Sequence, residues 1–396
     1  MGTTTPCPEC SPTNQLNHNR ERWMSIIGSF VEQASHWIIP RSFDRTLQEF
    51  STRGLFQLMR HSGALVERPI FDHTDIHQRT RVVMQEAAKR GYTITVLCVW
   101  GKYLTNFFIM RGPGHTETFE GLPGLDPIKI TTTIDDKEAA RAIFAELGAP
   151  APRGSSFTKV EPALAYAKTL SYPLVVKPRS GSLSAHTKVN IQSEDELWYA
   201  IKIAQQVSQQ VIVEEFIPGN LYRATTVGVK LIACGRRDPP YVFGDGVHTI
   251  QELFDARDAE RRTLLVSLGY KPETIPPLTM QADPTRVLPH GERFALTWKI
   301  NLAYGATVTD VTDDVHPDNR ALCERIAVRA GLPSLGIDFI APDIAVPWHS
   351  QRCGFIELNS LPSIDLHHEP IVIGAPRNVA GALLDYVLSG DGDRCA

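Results

Sequence analysis

Val211-Ile212-Val213-Glu214-Glu215-Phe216-Ile217-Pro218-Gly219-Asn220-Leu221-Tyr222-Arg223 reads as an apolar, β-branched strand that ends in two acids, crosses a Pro-Gly break and leads into a second strand over 224–229. Upstream, Tyr172-Pro-Leu-Val-Val-Lys177-Pro178 is a strand that ends in lysine, which sets an ammonium at the end of a sheet where phosphate can sit. Far downstream, Gly336-Ile337-Asp338-Phe339 and Gly354–Leu358 are two further strands, the second running on through Glu357-Leu358-Asn359. Strand alternation puts Glu357 and Asn359 on one side of the sheet. If the two strands pair, Asp338 joins them. Two carboxylates and an amide oxygen are hard ligands suited to Mg²⁺, which takes few protein ligands and completes its shell with substrate phosphates.

The rest of the chain narrows the possibilities. A length of 396 residues predicts two or three domains. Forty basic residues against 44 acidic ones exclude a nucleic-acid coat and an acidic solvating tail. No apolar run reaches the ~18 residues that a membrane-spanning helix needs, and the first residues lack a basic segment followed by an apolar one. Seven cysteines in so long a chain are expected as reduced thiols of a cytoplasmic protein. Cys7-Pro-Glu-Cys10 has the spacing of half a zinc site, but no matching second pair follows nearby, so a mobile tail is the expectation there.

Apolar residues at helical spacing from Trp23 to Trp37 predict one helix docked on the core. Residues 76–90 predict a helix stopped by Gly91, followed by strands over 92–100 and 107–110 in a small α/β unit. Thr133 or Asp135 is expected to cap the next helix, whose buried face carries Ala140, Ile143 and Phe144. That helix stops at Gly148-Ala-Pro-Ala-Pro. Strands and helices then mix, with a helix over 317–331. The expected class is α+β, divided into an N-terminal extension (1–70), a small α/β domain (71–130) and a larger α+β domain (131–390).

The order Lys177, Glu214-Glu215-Phe216-Ile217-Pro218-Gly219, Asp338, Glu357-x-Asn359 resembles the ATP-grasp ligases. Within them it is similar to the ATP-grasp module of cyanophycin synthetase and to the glutathione-synthetase module of bifunctional bacterial glutathione enzymes. Gly235-Arg-Arg-Asp-Pro-Pro, Gly244-Asp-Gly-Val-His-Thr-Ile250 and Asp310-Val-Thr-Asp-Asp-Val-His-Pro317 extend the likeness over about residues 76–370.

The resemblance implies an ATP-grasp fold, two α+β lobes clasping ATP, after a small pre-ATP-grasp domain. It implies that Lys137 and Lys177 hold ATP phosphates and that Glu214, Glu215, Phe216 and Ile217 form the hinge gripping adenine. It further implies that Asp338, Glu357 and Asn359 hold Mg²⁺, with Mn²⁺ an acceptable substitute. Arg223 would bind the substrate carboxylate or its acyl phosphate, and Asn301 matches an asparagine of the family.

The implied activity is an ADP-forming acid–amino acid ligase acting on small amino acid or peptide substrates. A stand-alone enzyme making a dipeptide or a specialised metabolite is expected, with no nucleic-acid or membrane partner and with a homo-oligomer allowed for. Two alternatives stay open: phosphoryl transfer on the same fold, and nucleotide binding without catalysis.

Departures from the family pattern accompany these expectations. The loop Arg179–His186 keeps only Gly181, so Ser180, Ser182, Ser184 and His186 are the candidates to meet phosphates, with Ser182 foremost. Leu221 replaces an acid that usually meets ribose. Lys299 stands where arginines are usual, a point charge without the planar fork. Arg237 is either half of a solvated pair with Arg236 or a phosphate contact. His367 and His368 fall where the family places its amine-substrate loop, and either touch substrate or cover the core.

Overall fold

The structure is a computed structural model and describes residues 7, 9–10, 17–23, 25–26, 58–69, 76–125, 134–179, 186–267, 283–298, 300, 302, 305–368 and 372–390. Most of the helix expected over 23–37 lies outside the described residues, although 18–23 and 25–26 are helical.

The first layer is an antiparallel meander, β1 (Leu65–Arg68), β2 (Thr93–Val99), β3 (Lys102–Gly112) and β4 (His115–Glu120), covered by helix α1 (Gln78–Lys89). The helix stops where expected, with Gly91 at φ +75°, a left-handed conformation that costs glycine little. β2, β3 and β4 are joined by hairpins, whereas α1 lies in the connection from β1 to β2, so the helix-then-strand pattern yields an antiparallel sheet with one helix upon it. β1 precedes residue 71 and belongs to this sheet.

Helix α2 (Lys137–Glu146) follows, and its cap differs from the expectation. Asp136 is the N-cap, its side chain accepting from the N–H groups of Glu138 and Ala139 at 2.9 and 3.1 Å. Asp135 turns away to accept from the backbone N–H of Ser360 at 2.8 Å and from its hydroxyl at 2.6 Å, tying this helix start to the end of a strand far along the chain. Lys137 is thereby the first residue of the helix.

The second layer is a four-stranded antiparallel sheet in the order β5-β8-β6-β7: β5 (Gly154–Phe157), β6 (Leu174–Pro178), β7 (Lys188–Ile191) and β8 (Val211–Glu215). Helices α3 (Val160–Ala167) and α4 (Glu194–Ala204) close one face over Leu174, Val176, Leu197, Ile201 and Val213.

The third and largest layer contains β9 (Asn220–Val227), β10 (Lys230–Asp238), β13 (Thr307–Asp310), β14 (Ser334–Ala341), β15 (Gly354–Asn359) and β16 (Val372–Ile373), in the order β15-β14-β9-β10-β13-β16. An antiparallel pair of β11 (Tyr241–Phe243) and β12 (Arg293–Ala295), packed by helix α5 (Ile250–Ser267), forms a small separate sheet.

Alternation splits the large sheet into two chemically distinct faces. Tyr222, Ala224, Cys234, Ile337, Phe339, Phe355 and Leu358 point back onto α2 and onto α6 (Pro317–Ala330), meeting Phe144, Leu322 and Ile326. Burying each of these large side chains is worth about 1.5–3 kcal/mol. The opposite face carries the polar residues of the site. Helix α7 (Val379–Leu388) packs against α1, so Val379, Leu383 and Leu384 share one core with Val83, Phe108 and Phe119 of the first layer and Val227 of the large sheet.

Candidate functional site

The two motif strands pair as the sequence requires. β14 and β15 are antiparallel, with Asp338 opposite Glu357 and Gly336 opposite Asn359. On its other side β14 pairs with β9, placing Arg223 opposite Asp338, and β9 pairs with β10, placing Gly235 opposite Arg223. Glu357, Asp338 and Arg223 therefore form one row across the polar face. Arg237 stands two residues beyond Gly235 on that same face.

Arg223 grips Asp338 through two donors, Nε to Oδ1 and Nη2 to Oδ2, the latter at 2.8 Å. Both are buried. Burial works against the Arg223 charge, but the Asp338 carboxylate more than offsets it, so the guanidinium pKa ends above its usual value. Gly336 makes room for this side chain, since a Cβ there would lie 3.0 Å from Arg223 Nη1. The second guanidinium, Arg237, approaches Asp338 less closely, with Nη1 3.8 Å from Oδ2. Burial and then the Arg223 charge hold its pKa below the usual value.

A cavity of about 410 Å³ opens between this face and the second layer, a size typical of a small-molecule pocket. One part is apolar, with Pro152, Val175, Ile217, Leu221, Ile340 and Ile356. The other is charged, with Lys137, Lys177, Glu214, Arg237 and Glu357.

Lys177 ends β6 as expected and pairs with Glu214 Oε1 at 2.6 Å, while Arg141 takes the other carboxylate oxygen. Lys137 is buried and donates to the Arg179 carbonyl at 3.3 Å. Burial lowers its pKa, with the Glu357 charge opposing the fall most and Lys177 reinforcing it. An anion arriving between Lys137, Lys177 and Arg237 would relieve that strain.

The hinge lies at the apolar end. Glu215 turns its carboxylate out to Arg153, at 2.8 Å from Nε, and its N–H donates to the Arg153 carbonyl at 2.9 Å. The Phe216 N–H donates to the Pro173 carbonyl at 3.2 Å. Ile217 makes no backbone hydrogen bond to a described residue, which leaves its N–H for a ligand in the cavity. Trp298 stands edge-on to Phe216, ring centroids 6.1 Å apart.

Asp338, Glu357 and Asn359 fit the hard cation that the sequence implies. The Glu357 carboxylate lines the cavity and accepts no hydrogen bond from a described residue. Asn359 keeps a buried amide nitrogen with no hydrogen-bond partner among the described residues. Asp338 is already ion-paired, and its remaining lone pairs are what it can offer.

Three expected residues, Ser182, Lys299 and Asn301, lie outside the described residues, although Trp298 and Ile300 beside them line the cavity. Other candidates are placed away from the cavity lining. His186 is fully buried and faces Cys7 rather than phosphate. His367 is fully buried, with its Nε2 2.8 Å from the Thr225 hydroxyl, and His368 bonds the N–H of Ala380 at 3.4 Å. Neither is among the cavity-lining residues: the short helical turn over 364–367 lays His367 on the polar face beside Thr225 and Gly235, and His368 towards the start of α7. Arg237 and Arg293 line the cavity, which resolves the open reading of Arg237 in favour of the cleft. The signal for Arg237 was its two-residue offset from Gly235, legible only once β9 and β10 are known to pair.

Burial pushes the His367 pKa down to about 3, with the Arg223 charge adding to the effect. The unfolded chain takes up this proton near pH 6.5 and the native chain only near 3, so stability is full above pH 6.5 and falls as pH drops through that window. The expected loss is about 1 kcal/mol between pH 6.5 and 5.5. Urea denaturation at the two values checks this, and His367→Gln, which keeps a partner for Thr225, should flatten the dependence.

Comparison with known proteins follows this geometry. The family model described as "Carbamoyl-phosphate synthase L chain, ATP binding domain" matches residues 136–225. The chain is 30% identical to cyanophycin synthetase of Trichormus variabilis, over 92% of this chain and 41% of that protein. It is 27% identical to the glutathione biosynthesis bifunctional protein GshAB of Streptococcus thermophilus, over 83% of this chain and 45% of that protein. Among solved structures, a bifunctional glutathione synthetase from Pasteurella multocida superposes with a TM-score of 0.53 at 20% identity, over 81% of this chain and 45% of that one. The chain thus spans less than half the length of the curated relatives it matches.

Proposed function

The chain is an ATP-grasp protein, and from that premise we propose that it is an ATP- and Mg²⁺-dependent carboxylate–amine ligase that forms an amide bond through an acyl phosphate. The observation that carries this reading is the single row Glu357–Asp338–Arg223, opening with Arg237 onto a cavity that Lys177 enters from the facing lobe and Lys137 from the start of α2. A carboxylate oxygen of the first substrate attacks the γ-phosphorus and ADP leaves. The amine of the second substrate then attacks the acyl carbon, inorganic phosphate leaves, and the nitrogen gives up a proton.

Every participant in the first step is anionic, so catalysis is mainly positioning and charge stabilisation. Lys137 and Lys177 hold the nucleotide phosphates, and the hinge 214–217 holds the base. Arg223 fixes the Asp338 carboxylate in line with Glu357. Arg237, exposed to the cavity, meets the developing charge of the acyl phosphate. Bound between Asp338, Glu357 and Asn359, Mg²⁺ would neutralise phosphate charge.

The substrates on this reading are an amino acid or short peptide as acid and an amino acid as amine. The finer reading is a stand-alone ligase with a dipeptide or specialised-metabolite product. The small α/β layer, the ATP-grasp layers and the N-terminal extension are proposed as the three units of the chain.

The test is phosphate release across amino-acid pairs with product mass, repeated with hydroxylamine. A trapped hydroxamate supports the acyl phosphate. ADP formed without hydroxamate or amide favours phosphoryl transfer, and no ADP with any pair favours nucleotide binding alone.

Lys177→Ala should weaken ATP by about 10–100-fold, the worth of one charge-assisted contact, and adenosine far less. Titration calorimetry with both ligands measures this. Equal losses would mean that Lys177 acts only by positioning Glu214.

A further inference from the structure

Away from the cleft, four side chains of metal-ligating type converge. The sulfurs of Cys7 and Cys10 and a ring nitrogen from each of His18 and His186 all lie within 4.8 Å of one another. Cys10 Sγ is 3.2 Å from His18 Nε2, and Cys7 Sγ is 3.8 Å from His186 Nε2. The two imidazoles meet edge to face, with centroids 4.8 Å apart. A tetrahedral zinc with bonds near 2.3 Å to sulfur and 2.0–2.1 Å to nitrogen separates its ligand atoms by about 3.3–3.8 Å. These two sulfur–nitrogen pairs, at 3.2 and 3.8 Å, bracket the spacing of about 3.5 Å that zinc sets between sulfur and nitrogen.

The surroundings hold this geometry. The Cys10 N–H donates to the Cys7 carbonyl at 3.3 Å, closing the turn that brings both sulfurs to one side. Glu9, between them, accepts from the His186 N–H at 3.1 Å through its carbonyl and from Lys188 Nζ at 2.7 Å through its carboxylate. The two cysteines come from the start of the chain, whereas His186 lies just before β7, and Cys7 and His186 are 179 positions apart. Cys10 and His186 are buried.

We propose that Cys7, Cys10, His18 and His186 form a structural zinc site that fastens the N-terminal segment to the β7 wall of the cleft. Two soft thiolates and two imidazoles in a compact set select zinc over the hard cations that suit the Asp338–Glu357 site. Four protein ligands leave no open position, so the role is structural rather than catalytic. Two thiolates, two neutral imidazoles and one divalent ion sum to zero charge, which a buried location tolerates. Binding converts two thiols to thiolates and releases their two protons, so affinity rises with pH. Thr187 and Val189, immediately after His186, line the cavity. The site thus anchors a wall of the cleft, whatever reaction occurs there.

The experiment uses the full chain, purified under reducing conditions without chelator. Mass spectrometry of the metal should find about one zinc per chain. Replacement by Co²⁺ should give the visible absorption of a tetrahedral thiolate–imidazole site. A thiol-directed mercurial should release the zinc to a metallochromic dye, a measurement on the wild type that depends on no variant folding. Cys10→Ser and His186→Gln should each lose stoichiometric zinc, whereas Cys98→Ala, in β2, should keep it. A reduced wild-type chain that takes up neither Zn²⁺ nor Co²⁺ at equimolar concentration overturns the proposal. So does zinc that survives His186→Gln.

Discussion

Glu357→Gln is expected to lower kcat by at least ~10²–10³-fold while leaving the fold intact. The substitution conserves volume and removes one charge. Glu357 sits on the cavity wall opposite Asp338 and is felt by Lys137, Arg223 and Arg237. With Asp338 already held by Arg223, Glu357 is the carboxylate of the row with most capacity for an added cation. Losing it takes away a hard ligand and leaves the pocket one charge more positive. ATP without metal should bind as well or better, because its phosphates meet less repulsion. Metal-dependent turnover should collapse. Steady-state ADP release across a magnesium titration, with thermal unfolding alongside, measures both. Near-normal turnover would remove Glu357 from the site.

The parts of this arrangement that sequence made legible are those that alternation controls. Spacing alone put Glu357 and Asn359 on one face, and Asp338 joins them because β14 and β15 pair in register. Lys177 ends its strand and faces the cavity for the same local reason. What sequence left open depends on contacts between distant segments. The motif order alone points Arg223 at substrate; its ion pair with Asp338 appears only when β9 is set beside β14. His367 and His368 lie on a short turn whose direction no periodicity encodes. The CxxC turn was discounted for want of neighbouring ligands. Its distant partner His186 lies in a segment that reads as phosphate-binding, and only the fold brings the two together.

The two arginines should separate by what they damage. Arg223 is buried and commits two of its five N–H donors to Asp338. Arg223→Ala strands that carboxylate with only the more distant Arg237, and removing one partner of a buried pair costs about 3–5 kcal/mol. Its main signature should be a lowered denaturation midpoint. Arg223→Lys keeps the charge but not the two-point grip, so it should fold and lose activity through a misaligned Asp338.

Arg237 is on the cavity wall, 3.8 Å from Asp338, with a guanidinium that burial and Arg223 have made costly to keep charged. A developing acyl phosphate stabilises that charge, and the stabilisation is reciprocal. Arg237→Met should therefore lower kcat by roughly 10²–10³ and change stability little, because it removes a repulsion from Arg223 together with a weak attraction to Asp338. The loss should fall on kcat more than on ATP affinity, since Lys137 and Lys177 remain. ADP release, ATP binding and urea unfolding on the three variants give the comparison. If Arg237→Met keeps most of its kcat while folded Arg223→Lys loses it with no sign of a displaced Asp338, the acyl phosphate is met by Arg223 and the division of labour is reversed.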